Sequence, residues 1–138
     1  VVSSAASDVY KRQDHNRLSM LVAVLHRHGN ILVGDQDIFV NVVGGVKIMD
    51  TSADMALILS IISSFRDKPM PRNLVVFGEV GLSGEIRPVS NGQERLREAV
   101  KHGFTQAIIP SANIPKKPIQ GLKVIGVKKI SEALQALF

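Results

Sequence analysis

DTSADMALILSIISSF, residues 50–65, divides into two parts. The first five residues are mostly short polar side chains of the kind that start helices. The run from Met55 to Phe65 is apolar nearly all round, and a helix apolar on every side has to be buried. Burial needs neighbouring layers, and the flanking sequence supplies strands. Upstream, IFVNVV at 38–43 is short and β-branched, Gly44 and Gly45 form a bend, and residues 46–49 can continue the sheet. Downstream, after a loop punctuated by Pro69 and Pro71, residues 74–77 read as a second buried strand.

Farther out the pattern keeps alternating. Leu18, Leu21, Val22 and Leu25 share one face of a helix over 16–28, with Asp14 or Asn16 as its cap and Gly29 as a left-handed stop. GEVGLSGEIRP at 78–88 is rich in turns, with a hairpin tip at Ser83 and Gly84. A helix over 92–102 turns Leu96, Ala99 and Val100 inward and closes at Gly103. A strand at 106–109 stops at Pro110, residues 114–121 form a loop, residues 123–127 a strand, and Ser131 caps a last helix to Phe138. Strands and helices interleaved in this way give a mixed α/β fold in one domain.

The 138 residues suffice for one domain with a real core. Only 4% are aromatic and none is Trp, which disfavours a surface that stacks single-stranded bases. The absence of Cys excludes a disulfide scaffold, a thiol nucleophile and a thiolate zinc site. No apolar run reaches the ~18–20 residues of a membrane helix, so no membrane partner is expected, and residues 1–13 lack the apolar stretch of a signal peptide. That opening, VVSSAASDVYKRQ, matches nothing downstream; it is set apart as a disordered or non-native tail, with the domain at 14–138.

The net charge of +5 is unevenly placed. Residues 87–138 hold nine Lys or Arg against three acids, whereas residues 1–86 are nearly balanced. Such asymmetry suggests a polyanion partner, most often nucleic acid; the alternative is a set of separate solvated side chains on different faces. The cations that supply this surface are Arg95, Arg97, Lys101, Lys116, Lys117, Lys128 and Lys129, with Arg87 and Lys123 as further contributors. Arg97 and Lys101 lie four apart on one helix face, Arg95 sits three before Glu98 and is partly neutralised by it, and Lys116-Lys117 lie in a Pro-flanked loop. With no groove-reading motif, contacts to phosphate that ignore sequence are expected.

There is no G-x-x-x-x-G-K-[ST] phosphate loop and no G-x-G-x-x-G. His26 and His28 are two apart and diverge on a helix, and His15 and His102 lack partnering ligands, so no metal site is expected. Ser52 alone is placed like a nucleophile, at the start of a buried helix whose free N–H groups can stabilise an oxyanion. It needs a base to take its proton. The alternative is that Ser52 and Thr51 simply cap the helix.

Several motifs carry a resemblance. Lon-type proteases place their serine in G-P-S-A-G, and here DTSAD stands at 50–54. Their T-G-E-I-T-L-x-G-x-V-x-P-I-G-G resembles FGEVGLSGEIRPV at 77–89, and their G-x-x-x-x-I-x-P-x-x-N is matched by Gly103, Ile108, Pro110 and Asn113. Their G-G-x-K-E-K-L supplies the base of a Ser-Lys dyad from its first Lys, the position of Gln93 here. The resemblance therefore implies a degenerate dyad, Ser52 with Gln93, and no peptidase activity. Asp50 and Asp54 replace two family glycines and add negative charge beside the serine. Lys47 is the only other amine near in sequence. The rival reading is a working serine peptidase using Ser52.

The whole set, NRL at 16–18, LHRHG at 25–29, DQD at 35–37, NVVGGV at 41–46, TSAD at 51–54, FGEVGL at 77–82 and GQER at 92–95, closely resembles the Lon-like C-terminal domain of the RadA (Sms) family of bacterial DNA repair ATPases. This resemblance implies an α/β fold (α+β) like the Lon proteolytic domain and ribosomal protein S5 domain 2, a mixed sheet with packed helices. It also implies a cytoplasmic bacterial protein and a role as oligomerisation scaffold, hexameric, and contact module for single-stranded or branched DNA. The parent would be a DNA-dependent ATPase acting in branch migration. ATP, Mg and Zn would belong to its N-terminal domains, with no cofactor in this stretch. A scaffold whose basic residues serve only solubility is a third reading.

Overall fold

The computed structural model describes residues 12–33, 35–40 and 50–138. Half of the expected strand at 38–43 lies outside them, as do all of residues 41–49 with Lys47, and residues 38–40 are not in a strand. The elements are α1 (Arg12–His28), a 3₁₀ turn (Thr51–Ala53), α2 (Asp54–Phe65), β1 (Leu74–Val76), β2 (Glu79–Val80), β3 (Ile86–Arg87), α3 (Gly92–Lys101), β4 (Gln106–Pro110), a second 3₁₀ turn (Ser111–Asn113), β5 (Lys123–Val127) and α4 (Ile130–Leu137).

β1, β4 and β5 form a parallel sheet in the order β1-β4-β5, Leu74 pairing with Gln106 and Gln106 with Lys123. β2 and β3 form a separate antiparallel hairpin. Side chains alternate along the strands. Leu74, Val76, Ile108, Ile125 and Val127 point to one face, where they meet α1, α2 and α4 through Leu21, Leu25, Ile58, Leu59, Ile62 and Ile130. Val75, Ala107, Ile109 and Val124 point to the other, where Phe77, Leu96 of α3 and Ile119 and Leu122 of the β4–β5 connection cover them. Branched aliphatics do the filling, as the scarcity of aromatics requires.

Because β1 and β4 are parallel, the chain between them has to return along the sheet, and α3 lies on that return. The Ser52 carbonyl accepts from the Gly78 amide at 2.8 Å, and the Gly78 carbonyl from the Met55 amide at 3.0 Å. These bonds fix the start of α2 at the C-terminal end of β1. Gly78 has φ +153, and a Cβ there would press on Ile86, Met55 and Pro110. α3 likewise begins beside Asn113, just beyond β4, and α4 begins where the Gly84 carbonyl accepts from the Ile130 amide. The polar residues of the Lon-like motifs thereby gather at the C-terminal edge of the sheet, where open α/β sheets bind ligands.

Several local expectations are corrected. α1 begins at Arg12, so Asp14 and Asn16 lie inside it and do not precede it. Its left-handed stop is Asn30 at φ 53; Gly29 keeps the amide bond to the Leu25 carbonyl, so the chain turns one residue later. Ser131 lies within α4, whose N-cap is Lys129 without a side-chain bond. Gly84, expected at the hairpin tip, and Gly103, expected to close α3, stand at φ +79 and +87.

Candidate functional site

The turn before α2 is built by Asp50. Its Oδ1 accepts from the Ser52 amide at 3.0 Å, so the cap comes from Asp50 and not from Ser52 or Thr51. Thr51 Oγ1 instead donates to Glu79 Oε2 at 2.9 Å, tying the turn to β2. The Ser52 hydroxyl is thus free of capping duty and turns toward α3.

There it meets an arginine. Arg95 Nη1 donates to Ser52 Oγ at 3.3 Å, and Nη2 to Asp50 Oδ2 at 3.3 Å. Arg95 Nε donates to the Ser90 carbonyl at 3.0 Å, and the guanidinium lies 5.8 Å from the Phe77 ring centroid. Four contacts on one planar cation hold the serine turn against α3. Ser52 retains only 7% of its accessible surface. The expected neutralisation of Arg95 by Glu98 does not occur; Glu98 pairs with Lys101 at 3.6 Å and His102 at 3.3 Å on the outer side of α3.

Gln93 does not face the serine. It is exposed, and its Oε1 accepts from Arg97 Nη2 at 3.5 Å. Among the described residues the side chains bonded to Ser52 itself are Asp50, through the Ser52 amide, and Arg95, through the hydroxyl. A guanidinium carries donors only and stays charged, so Arg95 cannot take a proton. Asp50 is held below the usual carboxylate range, first by the Ser52 amide, next by the Ser52 hydroxyl, and then by Arg95. A carboxylate stabilised in its ionised form is a weak base, far from the neutral range a general base needs.

Asp54 corrects the view that two aspartates crowd the serine. It is 2% exposed and faces α1 and the hairpin: Arg17 Nε donates to Oδ1 at 3.0 Å, Arg17 Nη2 pairs with Oδ2, and the Val80 amide donates to Oδ2 at 3.1 Å. Its charge is fully engaged away from Ser52. Asp50 does lie beside the serine, with Arg95 compensating it.

Asn113 positions the start of α3. Its Oδ1 accepts from the Val89 amide at 2.8 Å and its Nδ2 donates to the Val89 carbonyl at 3.0 Å, which copies a strand pairing with a side chain. Gly92 is required beneath it, since a Cβ there would sit 2.7 Å from Asn113 Nδ2. Asn91 enters the helix with φ 58.

The expected basic residues do not all fall together. Arg97, Lys101, Lys116, Lys117, Lys128 and Lys129 are exposed, whereas Arg95 is turned into the serine cluster. Lys128 and Lys129 join the hairpin at the opposite end of β5 from Lys123. Arg87 is occupied by Glu85 at 2.8 Å and Glu79 at 3.7 Å. Among the described residues there is no cluster of His, Asp or Glu able to hold a metal and no helix long and apolar enough to cross a membrane.

Sequence reasoning missed the Arg95 contact, the Asp50 cap, the Arg17–Asp54 pair and the Asn113 staple. One signal was available: an Asp two residues before Ser52 has the spacing of a side-chain-to-backbone turn.

The model of the Lon protease (S16) C-terminal proteolytic domain matches residues 5–138. The chain is 64% identical over 121 residues to the DNA repair protein RadA of Salmonella typhimurium, covering 88% of this chain and 26% of that protein. It is 60% identical over 125 residues to the DNA repair protein RadA of Pseudomonas aeruginosa, covering 91% and 28%. Against the DNA repair protein RadA of Bacillus subtilis the figures are 47% over 124 residues, covering 88% and 27%. The chain spans about a quarter of the length of these curated relatives.

Proposed function

The chain belongs to the family of the Lon protease C-terminal proteolytic domain, and we propose that it is a non-proteolytic member serving a RadA-type DNA repair protein as an oligomerisation and DNA-contact module. The observation that carries the non-proteolytic part is the Arg95 guanidinium on the Ser52 hydroxyl. Nucleophilic serines need a neighbouring base; this one has a permanent cation and a weakened carboxylate. The Lon-type site has become a clasp between the turn before α2 and the start of α3.

The DNA-contact part is supported by the excess of Lys and Arg in residues 87–138 and by the DNA repair proteins the chain resembles. Assembly into a homohexamer follows from the reading as a RadA-type domain, as does the parent's DNA-dependent ATPase activity in a bacterial cytoplasm. In that parent ATP, Mg and Zn act outside this stretch.

The test is peptide cleavage. Wild-type chain and Ser52→Ala are incubated with casein and a fluorogenic peptide. Equal, background rates support the proposal, and a rate that Ser52→Ala abolishes overturns it in favour of a serine peptidase.

A further inference from the structure

We infer that Asn91 is a site of spontaneous covalent modification, where the Gly92 nitrogen displaces ammonia from the side-chain amide, and that the pinning of residues 89–91 sets its rate. Asn91-Gly92 is the only Asn-Gly pair in the chain; every other Asn precedes Arg, Ile, Val or Leu. A following side chain shields the amide nitrogen, and glycine leaves it open to close approach. The packing forces glycine here, since a Cβ at residue 92 would lie 2.7 Å from Asn113 Nδ2.

Both reacting groups are free. Asn91 is exposed, and its side chain makes no cap bond to α3. The Gly92 amide opens the first turn of that helix, where no intrahelical carbonyl is within reach, and no carbonyl among the described residues accepts from it. The chemistry needs only water. The Gly92 nitrogen bonds to Asn91 Cγ and gives up its proton as the Cγ–Nδ2 bond breaks and ammonia leaves. Water then opens the five-membered imide at either carbonyl. Opening at Cγ leaves aspartate, and opening at the main-chain carbonyl leaves isoaspartate, with the chain running on through Cγ. Either product replaces a neutral amide by a carboxylate. Isoaspartate also displaces the carbonyl that accepts from the Arg95 amide at 3.0 Å.

The fold holds the reacting atoms apart. At φ 58 and ψ 37 the Gly92 nitrogen lies across the Asn91 Cα–C bond from the side chain, so the main chain must rotate before attack. Three consecutive residues resist that rotation. Asn113 holds the amide and carbonyl of Val89, Arg95 Nε holds the Ser90 carbonyl, and the Arg95 amide holds the Asn91 carbonyl. Conversion therefore passes through an opening of the loop before α3, and its rate reports how firmly the Ser52 clasp is shut.

The 138-residue chain, Arg95→Ala and Asn113→Ala are incubated in mildly alkaline buffer, and mass spectrometry of the digested chain follows each Asn, with thermal melting to confirm folding. In the folded wild type, residue 91 should convert ahead of Asn16, Asn30, Asn73 and Asn113. It should convert roughly tenfold faster in denaturing guanidinium, and about threefold or more faster in each folded variant. The guanidinium comparison needs no variant and stands where one fails to fold. Another Asn converting first would overturn the site. Equal rates in the folded and unfolded wild type, or a folded variant that converts at the wild-type rate, would overturn the pinning.

Discussion

The Arg95 guanidinium donates to the Ser52 hydroxyl at 3.3 Å while its other nitrogens hold Asp50 and the Ser90 carbonyl. One side chain thus joins the turn before α2 to the loop before α3, at the place where a Lon-type site would do chemistry. Removing it should loosen the join without exposing a working nucleophile. Arg95→Ala is expected to lower the melting temperature by about 2–4 °C, from the lost cation–π contact and hydrogen bonds, and to yield no cleavage of casein. Arg95→Lys should recover only part of the loss, since an ammonium cannot reach the three acceptors in one plane.

Arg17 and Asp54 are a second join, between α1 and α2, and here burial makes the pair costly to break. Arg17→Ala leaves a nearly inaccessible carboxylate with only the Val80 amide. A loss of about 3 kcal/mol is expected, on the order of 10 °C in melting temperature. The double variant Arg17→Met with Asp54→Leu should be less destabilised than the single one, because no buried charge remains unpaired. Thermal melting of the three proteins measures the coupling.

Asn113 and Gly92 form a cycle of their own. Asn113→Ala strips both partners from Val89 and should cost about 1–3 kcal/mol. Gly92→Ala pushes a methyl into the Asn113 amide. In the Asn113→Ala background that obstruction is gone, so the glycine substitution should cost distinctly less there than in the wild type, measured by urea unfolding.

Acid should act first through exposed carboxylates. Asp50 is held below the usual carboxylate range by the Ser52 amide and hydroxyl and by Arg95. Glu85 is held down by its own backbone amide and by Arg87. With folded values below unfolded ones, the unfolded chain binds more protons in the acid range. Their stabilisation is therefore complete at neutral pH and is lost as pH falls below the ordinary carboxylate range. Asp50→Asn and Glu85→Gln should each flatten the acid limb of a plot of melting temperature against pH, leaving the slope above pH 6 unchanged.

The regular elements were legible because their signals are local. The apolar run 55–65 and the glycines at 84 and 103 appear as read, and the strand expected at 74–77 appears at Leu74–Val76, half-buried where a buried one was expected. The start of α1 was missed because Asp14 and Asn16, good caps in isolation, are overridden by a helix that begins earlier. Ser52 stood out by its place before α2, but its partner could not be read. Arg95 lies 43 residues away, and only the return of α3 along the sheet brings the two together. Asp54 was misjudged for the same reason: its partner Arg17 is 37 residues upstream. Counting charges located the basic region, and only the fold showed that Arg95 leaves it for the Ser52 turn while Arg87 is taken up by Glu85 and Glu79.

DNA contact through phosphates is the claim most directly open to measurement, by fluorescence anisotropy of the chain with two unrelated duplexes across a salt series. The account predicts weak binding, in the ~10⁻⁴–10⁻⁶ M range near physiological salt, equal for both sequences, with log affinity falling linearly against log salt at about 0.9 per phosphate neutralised. Binding that is absent at low salt, or whose strength does not change with salt, would contradict it.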